Sequence, residues 1–170
     1  MTSARKIRMA SAVAIAVAGI MIVALRPVIS SAQTTPTHIE VFNAEGPFEK
    51  DLDVGRAGFP TAGDFAVESQ PLLDPGIGSA LGRSLSELTI VRPVSRGQDL
   101  EVILHSTLRL PQGDVVLDGG LRFSELFDGG TIAVVGGTGS FAGARGTAAF
   151  TAGTVGGHDG FLISIDITTG

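Results

Sequence analysis

The stretch DFAVESQ, residues 64–70, sets a carboxylate, Glu68, and an amide, Gln70, two residues apart in a run with strand character. Side chains at that spacing leave the same face of one strand. Facing inward, the pair would bring a proton-transfer group and a hydrogen-bonding amide into an apolar cavity. Desolvation there raises a carboxyl pKa and suits it to moving protons near neutral pH. Facing outward, both are solvated surface groups. Glu87, in SLSELTIV (84–91), poses the same question one strand later, with Leu85 on its own face and Leu88 on the other. Arg145 could hold an anionic group of a ligand or tie down the carbonyl groups of the turn it sits in.

Other chemistries find less support. His38, His105 and His158 show neither HxH nor HExxH spacing, so no metal site is expected. No serine lies in a GxSxG elbow. The chain has no cysteine, which excludes thiol catalysis and thiolate metal sites. Asp118 and Asp128 each precede a glycine, as turn or bulge residues do. GGTGSFAG (136–143) imitates a dinucleotide-binding loop, and Asp159 even lies 20 residues past Gly139. The context fails, because ARGTAAFTAGTVGG puts glycines and β-branched residues where a helix interior would have to be. A crossover helix and second parallel strand need about thirty residues, and the 27 after Gly143 already read as two strands. A glycine-rich corner between antiparallel strands is the better reading, and no cofactor is expected.

The elements that position these residues are short β-rich runs punctuated by Gly, Pro and Asp, the pattern of an all-β sandwich or barrel. Strands are predicted at 38–42, 64–69, 84–91, 100–110, 114–123, 131–137, 146–155 and 160–168. Residues 43–63 read as loop, and LLDPGIG (72–78) as a turn. In LEVILHSTLRL, Leu100, Val102, Leu104, Leu108 and Leu110 share one face, interrupted by Ser106, while His105 lies on the mixed face. The last strand is apolar on both sides near its start, through Phe161, Leu162, Ile163 and Ile165, which suits cover on both faces, for instance by a neighbouring subunit. No segment beyond residue 32 carries a convincing helical stripe. Eight strands can close a barrel around a small ligand.

Residues 1–32 read as a secretory signal. Arg5, Lys6 and Arg8 precede a 17-residue uncharged run from Met9 to Leu25, and SSAQ (30–33) offers a small-residue cleavage site after Ala32. Uncleaved, the same run would serve as an N-terminal membrane anchor. Residues 33–37 form an exposed lead-in, and 38–170 a single domain. Without 1–32 the chain keeps 8 Lys and Arg against 17 Asp and Glu, a net charge of −9. Nucleic acid and anionic membrane surfaces are therefore not expected as partners.

The corner VVGGTGSFAGARG (134–146) resembles a signature shared by plant dirigent proteins and allene oxide cyclases, in which a strand ends in GG(T/S/A)G, an aromatic follows, and the next strand opens after A-(R/Y)-G. GDFAVESQPLLDPG (63–76) is similar to the cyclases' GDLVPF(S/T)NKLY-x-G segment, and ALGRSLSEL (80–88) to the dirigent VGRAQG strand. The matches run in order over 63–168. The resemblance implies an eight-stranded antiparallel up-and-down β-barrel with an apolar cavity, often assembled as a homotrimer. It aligns Gln70 with a water-holding asparagine of the cyclases, Leu88 with their cavity cysteine, and Leu121 with the region of a cavity tyrosine. Glu40 corresponds to their first-strand glutamate within a register ambiguity of one residue, which decides between cavity and exterior. Glu68 lies close to an acidic position of dirigent proteins, and Arg145 matches their arginine. Tyr and Trp are absent, so phenolic donors are missing. The implied function is a secreted barrel that binds a hydrophobic small molecule and steers a cofactor-free cyclisation or isomerisation. The alternatives are a non-catalytic carrier and a structural protein whose interior is filled by its own Phe and Leu side chains.

Overall fold

The computed structural model describes residues 36–46, 48–53, 60–93 and 99–169. Residues 1–35, which hold the expected signal segment, lie outside these. The alternating runs form strands β1 (Thr37–Ala44), β2 (Phe48–Leu52), β3 (Phe65–Leu73), β4 (Ala80–Pro93), β5 (Leu100–Leu110), β6 (Gly113–Arg122), β7 (Gly129–Gly137), β8 (Arg145–Val155) and β9 (His158–Thr168). From β3 to β9 each strand pairs antiparallel with the next, and β9 pairs with β1. β1 reaches β3 at Phe42 and Asn43, and β2 continues along the same edge of β3, from Ser69 to Phe65. β1 and β2 thus fill one position, and the sheet closes into an eight-stranded antiparallel barrel.

The expected loop over 43–63 is where this differs from the sequence reading. β1 runs on to Ala44, and β2 lies inside the predicted loop. FEKDL is only five residues long and sits between Pro47 and a glycine-rich segment, so its alternation carried little signal. The two leucines of the predicted turn at 72–78 also belong to β3, and the turn begins at Asp74. There the Asp74 carboxylate accepts the N–H groups of Gly76 (2.8 Å) and Ile77 (3.1 Å).

β5 behaves as its pattern demands: Val102, Leu104, Ser106 and Leu108 are buried, while Ile103, His105 and Arg109 are exposed. The facing strands complete a dry half of the interior with Val115 and Leu117 on β6, Ile132 and Val134 on β7, and Ile163, Ile165 and Ile167 on β9. Each such side chain contributes about 1.5–3 kcal/mol relative to exposure, which replaces the disulfides this chain cannot form. Leu126, on the one-turn helix α1 (Glu125–Asp128), packs into the same core. On the outer side, Leu162 packs with Phe42, Ala44, Leu73 and Val155, which give this strand part of its outer cover.

The glycine stretch joins β7 to antiparallel β8 through a 3-10 turn, Gly139–Phe141, as a corner and without a following long helix. Gly139 takes a φ of +57°, which side chains resist.

His38, on the β1–β9 seam, donates from Nδ1 to Asp166 Oδ1 at 2.8 Å, with Glu40 Oε1 3.6 Å from its Nε2. The Asp166 hydrogen bond raises the His38 pKa above the ordinary 6.5, against a smaller opposing effect of burial. A raised histidine pKa stabilises the fold fully below pH 6.5, and the benefit fades as pH rises through the folded-state pKa. In an NMR titration His38 is expected to titrate above 6.5, and Asp166→Asn to bring the midpoint down. An unchanged midpoint in that variant would show that the seam contact is not made in solution.

Candidate functional site

Alternation on β3 and β4 builds the site. Ala66, Glu68, Gln70 and Leu72 share the inner face of β3, opposite Leu88, Ser86, Ser84 and Gly82 of β4. Toward the start of β3 this inner wall opens into a cleft of about 410 Å³ at one mouth of the barrel. Its apolar side is formed by Ala66, Leu88, Ile90, Leu100 and Phe123, and Glu68 lies among them on the wall. Asp51, Asp53 and Asp64 also line it, where β2 and the approach to β3 meet the mouth. Asp64 is buried and structural in part, since Oδ2 accepts the Thr61 N–H at 2.7 Å and Oδ1 the Thr61 hydroxyl at 3.0 Å.

Below Glu68 the interior becomes a buried polar chain. Gln70 is 7% exposed, and its Oε1 accepts from Asn43 Nδ2 at 2.7 Å. Asn43 Oδ1 in turn accepts from the Ser84 hydroxyl at 2.7 Å. One residue pair nearer the mouth, Ser86, the register partner of Glu68, shares a hydrogen bond with Ser106 at 2.8 Å. Buried amides and hydroxyls satisfied in this way hold fixed orientations.

The structure brings only some of the predicted residues together. Glu68 and Leu88 meet at the cleft, and Gln70 continues their face inward. Leu121 is buried in the core opposite Val102. Three residues stand elsewhere, which corrects the expectation that they line the cavity. Glu40 is exposed on the outside of β1, because Ile39 and Val41 take the inner face; it accepts from Ser164 at 3.4 Å. Glu87 is exposed outside β4, since its neighbours Ser86 and Leu88 point in; its carboxylate accepts from Thr89 at 3.3 Å. Arg145 is exposed at the corner and donates from Nη1 to the Ala144 carbonyl at 2.7 Å, the carbonyl-tying alternative.

Sequence reasoning missed Asn43, Ser84, Ser86 and Phe123. The serines had a signal: Ser84, Ser86 and Leu88 alternate, and Ser106 interrupts an otherwise apolar face. Asn43 fell in the supposed loop. Phe123 is held beside Asp99, whose Oδ1 accepts the Leu100 N–H (2.9 Å) and Ser124 N–H (3.3 Å) and whose Oδ2 accepts the Ser124 hydroxyl (3.1 Å). Burial pushes the Asp99 carboxyl up, but these hydrogen bonds together outweigh it and leave its pKa below the ordinary 3.8.

No family model matches this sequence, and no curated protein matches it. Solved structures do. A pyocyanin demethylase superposes with a TM-score of 0.64 at 17% identity, over 78% of this chain and all of that one. The Diels-Alderase AbmU from Streptomyces koyangensis gives 0.59 at 13% identity, over 82% of this chain and 70% of that one. The pterocarpan synthase dirigent protein GePTS1 gives 0.58 at 18% identity, over 79% and 88%. At these identities the likeness is one of fold: the chain forms the closed barrel also found in dirigent proteins and in barrel cyclases.

Proposed function

We propose that the barrel takes a hydrophobic small molecule into the cleft beside Glu68 and steers a cofactor-free cyclisation or isomerisation, in the manner of an allene oxide cyclase-like or dirigent-like protein. The observation that carries this reading is a carboxylate, Glu68, set among the apolar residues Ala66, Leu88, Ile90, Leu100 and Phe123 of the cleft wall. Such a wall excludes water from one face of a ligand and holds it in a restricted set of conformers, which lowers the entropic part of a ring-closing barrier. Glu68 can then take a proton from one carbon of the ligand and return it to another, so no net proton, electron or co-reactant is required. The fold likeness to a Diels-Alderase and to a pterocarpan synthase dirigent protein supports the same class of task. Export belongs to this proposal and rests on the charged start and apolar run of residues 5–25.

Cyclisation and isomerisation conserve mass, which makes the test direct. The protein is incubated with a culture extract, and bound and released molecules are followed by chromatography with mass spectrometry. The expected result is a compound converted to a product of equal mass and different retention. Glu68→Gln should bind the same compound and slow its conversion by roughly 10²–10⁴-fold. Recovery of the compound unchanged from wild type after long incubation favours a carrier instead.

A further inference from the structure

Three sets of contacts decide where the Phe123 ring stands at the edge of the cleft. Its own N–H donates to the Leu100 carbonyl at 2.8 Å. The next residue, Ser124, is clasped through both its N–H and its hydroxyl by the Asp99 carboxylate. Phe127, which does not line the cleft, meets the Phe123 ring edge to face, centroids 5.5 Å apart at 67°. Phe127 is backed in the same way by Phe161, at 5.3 Å and 63°. Leu126, next to Phe127 on the same one-turn helix, is anchored in the core. The ring is thus braced by Phe127 and by the backbone on either side of it, while 39% of Phe123 remains accessible and the residue lines the cleft.

We propose that Phe123 is the specificity-determining wall of the cleft and that Asp99, acting through Ser124, is its positioning residue. The cleft then selects flat, conjugated ring systems over flexible aliphatic chains. This rests on the cleft being the ligand site proposed above. A braced aromatic wall loses little freedom when a flat molecule lies against it, and the stacked or edge-on contact forms at once over the whole ring. A flexible chain must freeze several rotors to make equal contact. Leu88, Ile90 and Leu100 add an aliphatic surface that offers no such preference, and Phe65, the other aromatic residue of the lining, has no bracing ring contact among the described residues.

The experiment uses the full chain, the neutral fluorophore N-phenyl-1-naphthylamine as the flat probe, and 1-decanol as the flexible competitor. Wild type is expected to bind the flat probe more tightly than decanol. Phe123→Leu should weaken the probe about tenfold and leave decanol unchanged, while Phe123→Tyr keeps the preference. Asp99→Ala and Ser124→Ala should each shrink the preference about threefold. Urea midpoints are measured on every variant. A lowered midpoint with an unchanged preference in the Asp99 and Ser124 variants makes the clasp structural and overturns their role. Tight probe binding with no change of preference in Phe123→Leu overturns the proposal and leaves the cleft as a ligand site. No probe binding by wild type overturns the ligand site itself, and this proposal with it.

Discussion

Gly146→Ala is expected to destabilise the barrel by at least about 2 kcal/mol, read as a lowered urea midpoint or as loss of soluble protein. Gly146 ends the conspicuous glycine corner and stands on β8 opposite Ile167 of β9. A Cβ added there would lie 1.9 Å from the Asp166 carbonyl oxygen, 2.9 Å from its carbon and 3.0 Å from the Ile167 Cα. All three are backbone atoms, so no side-chain rotation can relieve the clash. β9 would have to move, and β9 is bonded on its other side to β1, where the barrel closes. The strain therefore reaches the seam and cannot be absorbed in a surface loop. Gly136, ten residues earlier in the same stretch, supplies the control. A Cβ at Gly136 meets nothing nearer than the end of the Arg145 side chain at 3.9 Å. Gly136→Ala should stay within about 1 kcal/mol of wild type. Equal midpoints for the two variants would mean that β8 and β9 do not approach each other as closely as the structure requires.

That contrast also marks how far the sequence could be read. The corner, the antiparallel strands around it and the faces of β5 were legible because period-two alternation survives wherever one face is dry and the other wet. Ser106 even announced the polar patch inside the barrel, as a single break in an apolar face. Two kinds of residue were hidden. Glu40 and Glu87 depend on strand register, and a slip of one residue exchanges inside for outside. On β1 the alternation of Ile39, Val41 and Asn43 inward is short, and its third member is polar, so the pattern could not settle the phase. Phe123 depends on the Asp99 clasp of the adjacent Ser124, made across 25 residues, and on Phe127, in a four-residue helical turn too short to show any stripe. Gln70 was legible as an amide sharing a face with Glu68, with its direction left open, and its partner Asn43 is 27 residues away, across a segment that reads as loop. Nothing local in a sequence records such a pairing.

Asn43→Ala carries the second large effect, an expected loss of roughly 2–4 kcal/mol. The side chain joins two buried groups at once: it donates to Gln70 Oε1 and accepts from the Ser84 hydroxyl. Removing it leaves the Gln70 Oε1 acceptor without that donor and the Ser84 hydroxyl with only its long 3.4 Å contact to the Gln70 carbonyl, and a buried group left unsatisfied costs about 1–3 kcal/mol. A water admitted to the vacated space would recover part of this, which sets the lower end of the range. Asn43→Leu fills the space but replaces neither hydrogen bond and keeps water out, so it should be no milder than the alanine variant. The combined change Asn43→Leu, Gln70→Met and Ser84→Ala removes the unpaired groups together and should recover most of the loss. These three residues sit on β1, β3 and β4, around the point where β1 hands over to β2 along the edge of β3. The chain of amides and hydroxyl therefore bonds the barrel shut by side chains where the backbone ladder is shortest. It also fixes the inner face of β3 two residues from Glu68, so loosening Asn43 should broaden the positions open to that carboxylate and weaken probe binding in the cleft. If the triple variant is no more stable than Asn43→Ala, the penalty comes from lost packing at the seam and the polar chain is not its cause.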